Sequence, residues 1–291
     1  MRLAVALVAA LTLGVSAGQQ TAAPLPAPLQ QMVDAERAFA ARAQVVGWKQ
    51  AFLEYFSDAA IGFDGEAGPA KDQIRKNPDP PPDFQLLWEP RYGDAAASGE
   101  LGYLTGPSTS INPARGNTPR FSTYASVWKR QPDGTFKVVI DVGVTTPDFA
   151  PFAPGFVRAP QGARYMGTDT SESATTSLAA ADAAMTRAAL GSQAAAYRGR
   201  IADGGRIHRP GVMPLVGETA ALAWLATQPS NSAGDHRFVD VARSRDLGYT
   251  WGTYATPAPP GGTASKGYYS RVWVRASDGS WKVALDVVQP Q

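Results

Sequence analysis

Aromatic and polar side chains alternate along two similar segments of the chain, a spacing that could build a binding surface. The alternating residues are Tyr124, Ser126 and Trp128 in one segment and Tyr269, Arg271 and Trp273 in the other. Every second side chain of a strand points to the same side, so each set would share one face. Aromatic rings bind apolar surface, and a guanidinium between two rings can hold a carboxylate or another anion. The alternative interpretation is an aromatic core face in which Arg271 pairs with Asp286.

The composition excludes several kinds of reactive site. The 291 residues include no cysteine and only 2 histidines, so thiolate nucleophiles, disulfides and cysteine- or histidine-rich metal sites are excluded. We therefore expect no metal and no cofactor. Lysine and arginine number 27 against 25 aspartate and glutamate residues, without the basic excess typical of nucleic-acid-binding proteins. We expect no nucleic-acid partner.

The N-terminus has the pattern of a secretory signal peptide. Arg2 is followed by an apolar stretch up to Val15 that is too short to span a bilayer, and Ala17 ends a small-residue cleavage pattern. A buried N-terminal helix is the alternative. We predict a signal peptide over 1–17 and a Pro-rich spacer over 18–30. The protein would be exported, periplasmic or secreted, with no membrane contact once the signal is removed.

The remaining chain contains one domain twice. Four motifs recur at an offset of 145 or 146 residues, a spacing too regular to arise by chance. They begin at Ser57, Leu101, Tyr124 and Asp133, and their repeats begin at Ala202, Leu247, Tyr269 and Asp278. We predict a first copy over 31–146, a Pro-rich linker over 147–176 and a second copy over 177–291.

Each copy runs from helices to strands. Apolar residues recur at helical spacing from Met32 to Val46, and a second stripe begins at Trp48 after the interruption at Gly47. Short runs rich in β-branched and aromatic residues follow, separated by Gly and Pro, and Pro132 begins a hairpin turn. Helices before antiparallel strands predict an α+β fold with the helices on one face of the sheet.

These motifs resemble the SnoaL-like branch of the nuclear transport factor 2-like (ketosteroid isomerase-like) superfamily, in particular exported bacterial domains without an established activity. The resemblance rests on 101–107 and 127–143 and on their repeats in the second copy. It implies two cone-shaped α+β domains, each with N-terminal helices packed on a curved antiparallel sheet around an apolar pocket. Members of the superfamily include isomerases, dehydratases and pure binding modules, so the function must be argued from the site.

Ketosteroid isomerase-like enzymes need a carboxylate base at the end of the short strand after the helices. The corresponding residues here are Phe63, which cannot move a proton, and His208, a weak candidate for a catalytic base because histidine titrates near neutral pH. On the last strand, Asp141 and Asp286 face away from the aromatic row if the hairpin loop has three residues, and share its face if the loop has two. Pro132 favours three, so we predict a structural or interface role for both aspartates.

Three functions remain open. We favour an exported, non-catalytic protein that binds a small apolar or amphipathic ligand. The predicted ligand-binding residues are Tyr103, Tyr124, Trp128, Tyr249, Tyr269, Arg271 and Trp273. One alternative is an isomerase-, dehydratase- or hydrolase-type enzyme acting through the second copy, with His208 as base and Tyr249 or Tyr269 as hydrogen-bond donor. The other is a scaffold or partner-binding module with a filled pocket.

The resemblance also implies an assembly. Domains of this kind commonly dimerise by packing their curved sheets back to back, in a two-fold symmetric contact. Two copies joined by a linker long enough to span a small domain can make that contact within one chain. We predict an intramolecular pseudo-dimer.

Overall fold

The computed structural model describes residues 24–258 and 261–291; the predicted signal peptide lies outside the described residues. The first copy consists of α1 (Ala27–Val46), α2 (Trp48–Tyr55), β1 (Phe56–Gly62), β2 (Gly68–Pro69), α3 (Ala70–Lys76), β3 (Gln85–Trp88), β4 (Tyr92–Ala95), β5 (Leu101–Ile111), β6 (Arg120–Arg130) and β7 (Phe136–Thr145), and the linker contains β8 (Val157–Arg158). The second copy consists of α4 (Ser171–Ala188), α5 (Gln193–Tyr197), β9 (Ile201–His208), β10 (Leu215–Val216), α6 (Gly217–Leu225), β11 (Ala233–Val241), β12 (Leu247–Thr256), β13 (Ser265–Arg275) and β14 (Trp281–Pro290). The fold is α+β, as predicted.

The first helix of each copy is longer than the sequence pattern indicates. Helix α1 begins at Ala27, inside the stretch predicted as a spacer, and α4 begins at Ser171, inside the predicted linker. Gly47 separates α1 from α2 with a φ of 81°, a conformation that glycine adopts without steric cost. Because α1 starts early, it includes Leu29, which is fully buried and adds a contact to the core.

The two copies share one sheet topology. The strand order is β2-β1-β7-β6-β5-β4 in the first and β10-β9-β14-β13-β12-β11 in the second, and β3 pairs separately with β5. Adjacent long strands are antiparallel, whereas β1 and β9 run parallel to β7 and β14. A β-bulge lies at the same place in both copies, between Val127 and Trp128 and between Val272 and Trp273.

The helices of each copy cover one side of its own sheet, which we call the inner face. Trp128 and Trp273 are both 0% exposed and belong to the clusters of apolar side chains beneath these helices. Burial of so large a ring contributes about 1.5–3 kcal/mol or more to stability. The opposite side of each sheet is the outer face.

The two outer faces pack against each other. One cluster of buried side chains draws on both sheets: Leu101, Tyr103, Val127, Ile140, Val142 and Val144 come from the first copy and Leu247, Tyr249, Val272, Leu285 and Val287 from the second. Each sheet is therefore covered on both sides, by helices on one side and by the other copy on the other.

The contact between copies is reciprocal. The Ser98 and Ser244 hydroxyl oxygens lie 2.8 Å apart, and each accepts a hydrogen bond from the other's backbone N–H, at 3.1 and 3.0 Å. The flanking contacts repeat the exchange: Ala97 N–H donates to Asp246, and Arg243 N–H donates to Glu100. Contacts that exchange partners in this way define an internal two-fold axis, which passes beside the serine pair.

The segment predicted as a linker is attached to both copies. Strand β8 pairs with β4, and its Arg158 forms an ion pair of 2.8 Å with the fully buried Asp94. Arg164 also binds Asp94 and reaches Asp246 of the second copy at 2.9 Å. Each buried carboxylate is therefore paired with an arginine, because an unpaired buried charge is costly. Through these ion pairs the segment between the copies is attached to both of them.

Candidate functional site

The predicted aromatic rows lie on the inner faces. Tyr124 and Trp128 are 4% and 0% exposed beneath the first copy's helices, and Tyr269 and Trp273 are 1% and 0% exposed beneath those of the second. Arg271 lies between its two rings and is also buried. The alternation in the sequence therefore identified side chains that share one face.

Tyr103 and Tyr249, which the sequence predicts as ligand-binding residues beside those of the row, do not share the inner face. Both lie in the cluster shared by the two outer faces. In the Leu-Gly-Tyr motif it is the glycine, Gly102 or Gly248, that occupies the inner face, where Met32 or Leu178 lies in the space that a Cβ would fill. The tyrosines consequently line the boundary between copies and not the helix-covered pockets.

The prediction for Asp141 and Asp286 is also corrected. Both aspartates point to the inner face, directly opposite Ser126 and Arg271 in the strand register. The hairpin loop is odd in length, but the β-bulge beside Trp128 adds one residue to the last strand. One added residue turns every side chain beyond it to the other face. The aspartates therefore join the aromatic row.

In the second copy, two arginines and two aspartates form a buried ionic network. Arg271 places Nη1 2.7 Å from Asp182 of α4 and Nε 2.8 Å from Asp286 of β14. Arg209, just after β9, lies 2.6 Å from the other oxygen of Asp286. The Tyr269 hydroxyl donates to Asp182 at 2.7 Å, and the Arg271 guanidinium stacks on the Tyr269 ring, 3.8 Å from its centroid.

This network fixes the protonation states of its members. Burial alone would raise the pKa of Asp286, but the charges of Arg209 and Arg271 outweigh it and hold the pKa below its ordinary value. Asp182 has a lowered pKa for the same reason, through Arg271 and the hydrogen bonds of His236 and Tyr269. Burial raises the pKa of the Tyr269 hydroxyl far above neutral. These carboxylates stay ionised, and the phenol stays protonated, around pH 7.

A cavity of about 490 Å³ opens above the network. Residues that give it chemical character are Tyr197, Arg209, Trp224, Tyr254, Tyr269 and Arg271. The Nε and Nη1 atoms of Arg271 are used by the network, and its Nη2 makes no hydrogen bond to the residues that the structure describes. The cavity is within the range of about 300–1,000 Å³ found for small-molecule sites.

The first copy holds its buried helix acid with neutral donors. Glu36 of α1 is fully buried and accepts hydrogen bonds from Trp88 Nε1 at 2.7 Å, Ser126 Oγ at 2.7 Å and Trp128 Nε1 at 2.8 Å. Burial raises the pKa of Glu36 despite these three bonds. No cation takes part in this arrangement among the described residues.

Beside it, Asp141 and Tyr124 are without partners. Asp141 makes no hydrogen bond or ion pair within the described chain, and burial followed by the charge of Glu36 raises its pKa well above the ordinary value. The Tyr124 hydroxyl is buried and also lacks a partner there. Asp141 and Phe52 both line two small cavities of about 80 and 180 Å³, and Tyr124 lines the smaller.

His208 is away from all of these cavities. It is 1% exposed, and both ring nitrogens are buried without a hydrogen-bond partner in the described residues. Its neighbour Ile207 points to the inner face, so His208 points to the outer face, opposite Val287 of the shared cluster. Burial and the charges of Arg206 and Arg209 lower its pKa to about 3.

Glu36, Asp182 and Arg209 were not among the site residues predicted from the sequence. The two acids lie within the apolar stripe of the first helix of each copy, 146 residues apart, with a large apolar residue four positions before and three after. An acid at the same buried position of both repeats was the signal that could have found them. No group of three or more histidine, cysteine, aspartate or glutamate side chains that could hold a metal occurs in the described residues. In the same part of the chain, no helix is long and apolar enough to cross a membrane.

The chain is similar in fold to solved structures that each match about one copy. A conserved protein from Planctomyces limnophilus DSM 3776 is 16% identical, with 41% of this chain and 99% of that chain covered at a TM-score of 0.34. A nuclear transport factor 2-like protein of unknown function from Shewanella oneidensis MR-1 is 11% identical, with 40% and 98% covered at a TM-score of 0.32.

A third solved structure carries the name of the SnoaL-like polyketide cyclases and comes from Jannaschia sp. CCS1. It is 16% identical, with 43% of this chain and 92% of that chain covered at a TM-score of 0.32. The names of the second and third of these structures are those of the proteins that the sequence motifs resemble. No protein-family model matches the chain, and no curated protein matches it in sequence.

Proposed function

We propose that the protein is an exported, non-catalytic binding protein whose second-copy cavity holds a small amphipathic ligand. The observation that carries this proposal is the cavity of about 490 Å³ with the Arg271 guanidinium at its floor. Export is proposed from the signal-peptide pattern of 1–17 alone.

The protonation states favour binding over proton transfer. A general acid or base works best with a pKa near the working pH. Around this cavity Asp182 and Asp286 have lowered pKa values, Arg209 and Arg271 have raised ones, and the pKa of Tyr269 is raised as well. Each of these groups therefore keeps its proton or stays without one throughout the neutral range.

The enzyme alternative keeps one candidate donor, Tyr269, at this cavity but loses its base. His208 and Tyr249 lie on the outer face and do not line this cavity. The scaffold alternative requires a filled pocket, which a cavity of this size argues against.

The floor of the cavity indicates the polar end of the ligand. Two guanidinium groups are balanced by two carboxylates, and His236 makes a further contact with Asp182 at 2.7 Å. A free guanidinium N–H in such surroundings donates to a carbonyl or hydroxyl oxygen without burying a further charge. Trp224 and Tyr254 supply apolar wall for the rest of the ligand. We expect an uncharged oxygen acceptor on an apolar body.

The test blocks the cavity without disturbing the network. Ala264 is exposed on its rim, and Ala264→Trp would place an indole over the opening. Ala59→Trp, at an exposed position of β1, is the matched control. Native mass spectrometry and calorimetry with 2-naphthol, 2-naphthoate and naphthalene would measure binding. We expect 2-naphthol to bind most tightly, and Ala264→Trp but not Ala59→Trp to weaken it at least tenfold. Equal binding by both variants would contradict the proposal.

A further inference from the structure

The internal repeat gives each inner site a matched counterpart. The matched residues are Glu36 and Asp182, Asp64 and Arg209, Tyr124 and Tyr269, Ser126 and Arg271, and Asp141 and Asp286. Both copies thus place one acid on the first helix, one acid on the last strand and one tyrosine between them. They differ at the two remaining positions, where the second copy has arginines.

The second copy fills its site with its own cations. The Arg271 guanidinium bridges the helix acid and the strand acid at 2.7 and 2.8 Å and lies over the Tyr269 ring. Arg209 completes the neutralisation of Asp286. Two acids and one tyrosine ring in this geometry can therefore hold a planar organic cation. In the second copy that cation is the guanidinium of Arg271.

The first copy keeps the acids and the ring but has no arginine there. Ser126 donates to Glu36 and makes no hydrogen bond to Asp141 within the described chain. Asp64 stands where Arg209 would be, and it lines the larger of the two small cavities together with Asp141. The described residues that line the two cavities include no lysine or arginine.

Two further observations indicate that a ligand belongs here. The Tyr124 hydroxyl is buried without a partner in the described residues, on a side chain only 4% exposed that lines the cavity beside Asp141. Buried polar groups in native proteins are normally satisfied, and an orphan indicates a missing partner. Asp141 also lacks any compensating charge, so a bound cation would relieve the cost of ionising it beside Glu36.

We propose that the first copy binds a small organic cation, an ammonium or guanidinium on a short apolar body, between the Asp141 carboxylate and the ring of Tyr124. Phe39, Phe52 and Trp88 add further aromatic wall, and aromatic faces attract a desolvated cation. A cavity of about 150 Å³ holds benzene. The space beside Tyr124, of about 80 Å³, therefore takes only the cationic group, and the neighbouring space of about 180 Å³, which Asp141 and Phe52 also line, takes the apolar body. The site is separate from the second-copy cavity and does not rest on its function.

The experiment compares a charged probe with its neutral isostere. Benzylammonium and benzyl alcohol would be titrated into the full mature chain by calorimetry at pH 7.5. Asp141→Asn removes the charge and keeps the shape of the side chain, and Ser126→Arg supplies the guanidinium that the second copy has. Asp58→Asn, on an exposed carboxylate of β1, is the matched control. Ala264→Trp reports whether the probe uses the other cavity.

We expect benzylammonium to bind at least tenfold more tightly than benzyl alcohol. Asp141→Asn should abolish that preference and Ser126→Arg should abolish binding, whereas Asp58→Asn and Ala264→Trp should bind within twofold of the parent. Equal affinity for the two probes, or unchanged benzylammonium affinity in Asp141→Asn, would overturn the proposal. If Ser126→Arg does not fold, Asp141→Asn decides the matter. Loss of binding in Ala264→Trp would assign the probe to the second copy and also overturn it.

Discussion

Replacing His208 by leucine should remove a large part of the protein's sensitivity to mild acid. His208 is buried between the two sheets, and neither ring nitrogen has a hydrogen-bond partner within the described chain. Burial, reinforced by Arg206 and Arg209, lowers its pKa from 6.5 to about 3 in the folded protein. An imidazole that must stay neutral when folded but can take a proton when unfolded links stability to pH.

The size of the effect follows from that difference. Between pH 6.5 and about 3 the unfolded chain binds a proton at His208 that the folded chain does not, so the free energy of unfolding falls as the pH falls through this window. At pH 5, about 1.5 pH units below the unfolded value, His208 alone lowers the free energy of unfolding by about 2 kcal/mol relative to pH 8.

Urea denaturation of the parent and of His208→Leu at pH 8 and pH 5 would measure this loss. The parent should lose about 2 kcal/mol more than the variant on going from pH 8 to pH 5. Phe63→Leu is the matched control, because Phe63 occupies the equivalent position of the first copy and cannot titrate; its stability change should be the same at both pH values. Equal losses in the parent and in His208→Leu would show that His208 is not held neutral in the interface.

Three further predictions address the first copy, the assembly and export. Asp141→Asn should stabilise the protein at pH 7 by about 1–3 kcal/mol, because it removes an unpaired carboxylate whose pKa is raised by burial; the gain should vanish near pH 3.8, where the unfolded carboxyl also takes its proton, and a variant less stable at pH 7 would contradict this. Light scattering should give the mass of one mature chain at all concentrations, because the outer faces already cover each other; a dilution-resistant mass of two chains would contradict it. N-terminal sequencing of the exported protein should begin near Gly18, and a sequence beginning at Met1 in exporting cells would refute export through 1–17.

The pattern of the sequence was sufficient for the repeat, the α+β fold and the face shared by Tyr124 and Trp128. Each of these depends on periodicity, which is a local property of the sequence. The face of Asp141 was not predictable in the same way, because it depends on a β-bulge beside Trp128. No residue type near the bulge requires it, and a register shift of one residue reverses the result.

The ionic network could not be assembled from local patterns either. Asp182, Arg271 and Arg209 come from a helix, a central strand and the end of an edge-proximal strand, and only the fold brings them together. The attachment of Arg158 and Arg164 to Asp94 was likewise hidden, since a Pro-rich segment gives no indication of what it packs against. The pairing of buried charges that are distant in the sequence is decided by tertiary structure. The one sign of it in the sequence is an acidic residue within the apolar stripe of a helix.

The most direct test of the proposed function is a crystal structure of the exported protein, purified without refolding and supplied with 2-naphthol. We predict electron density in the second-copy cavity, with an oxygen within hydrogen-bond distance of Arg271 Nη2 and an apolar body against Trp224 and Tyr254. A cavity that holds only water under these conditions, or that is closed by the side chains around it, would contradict the proposed function.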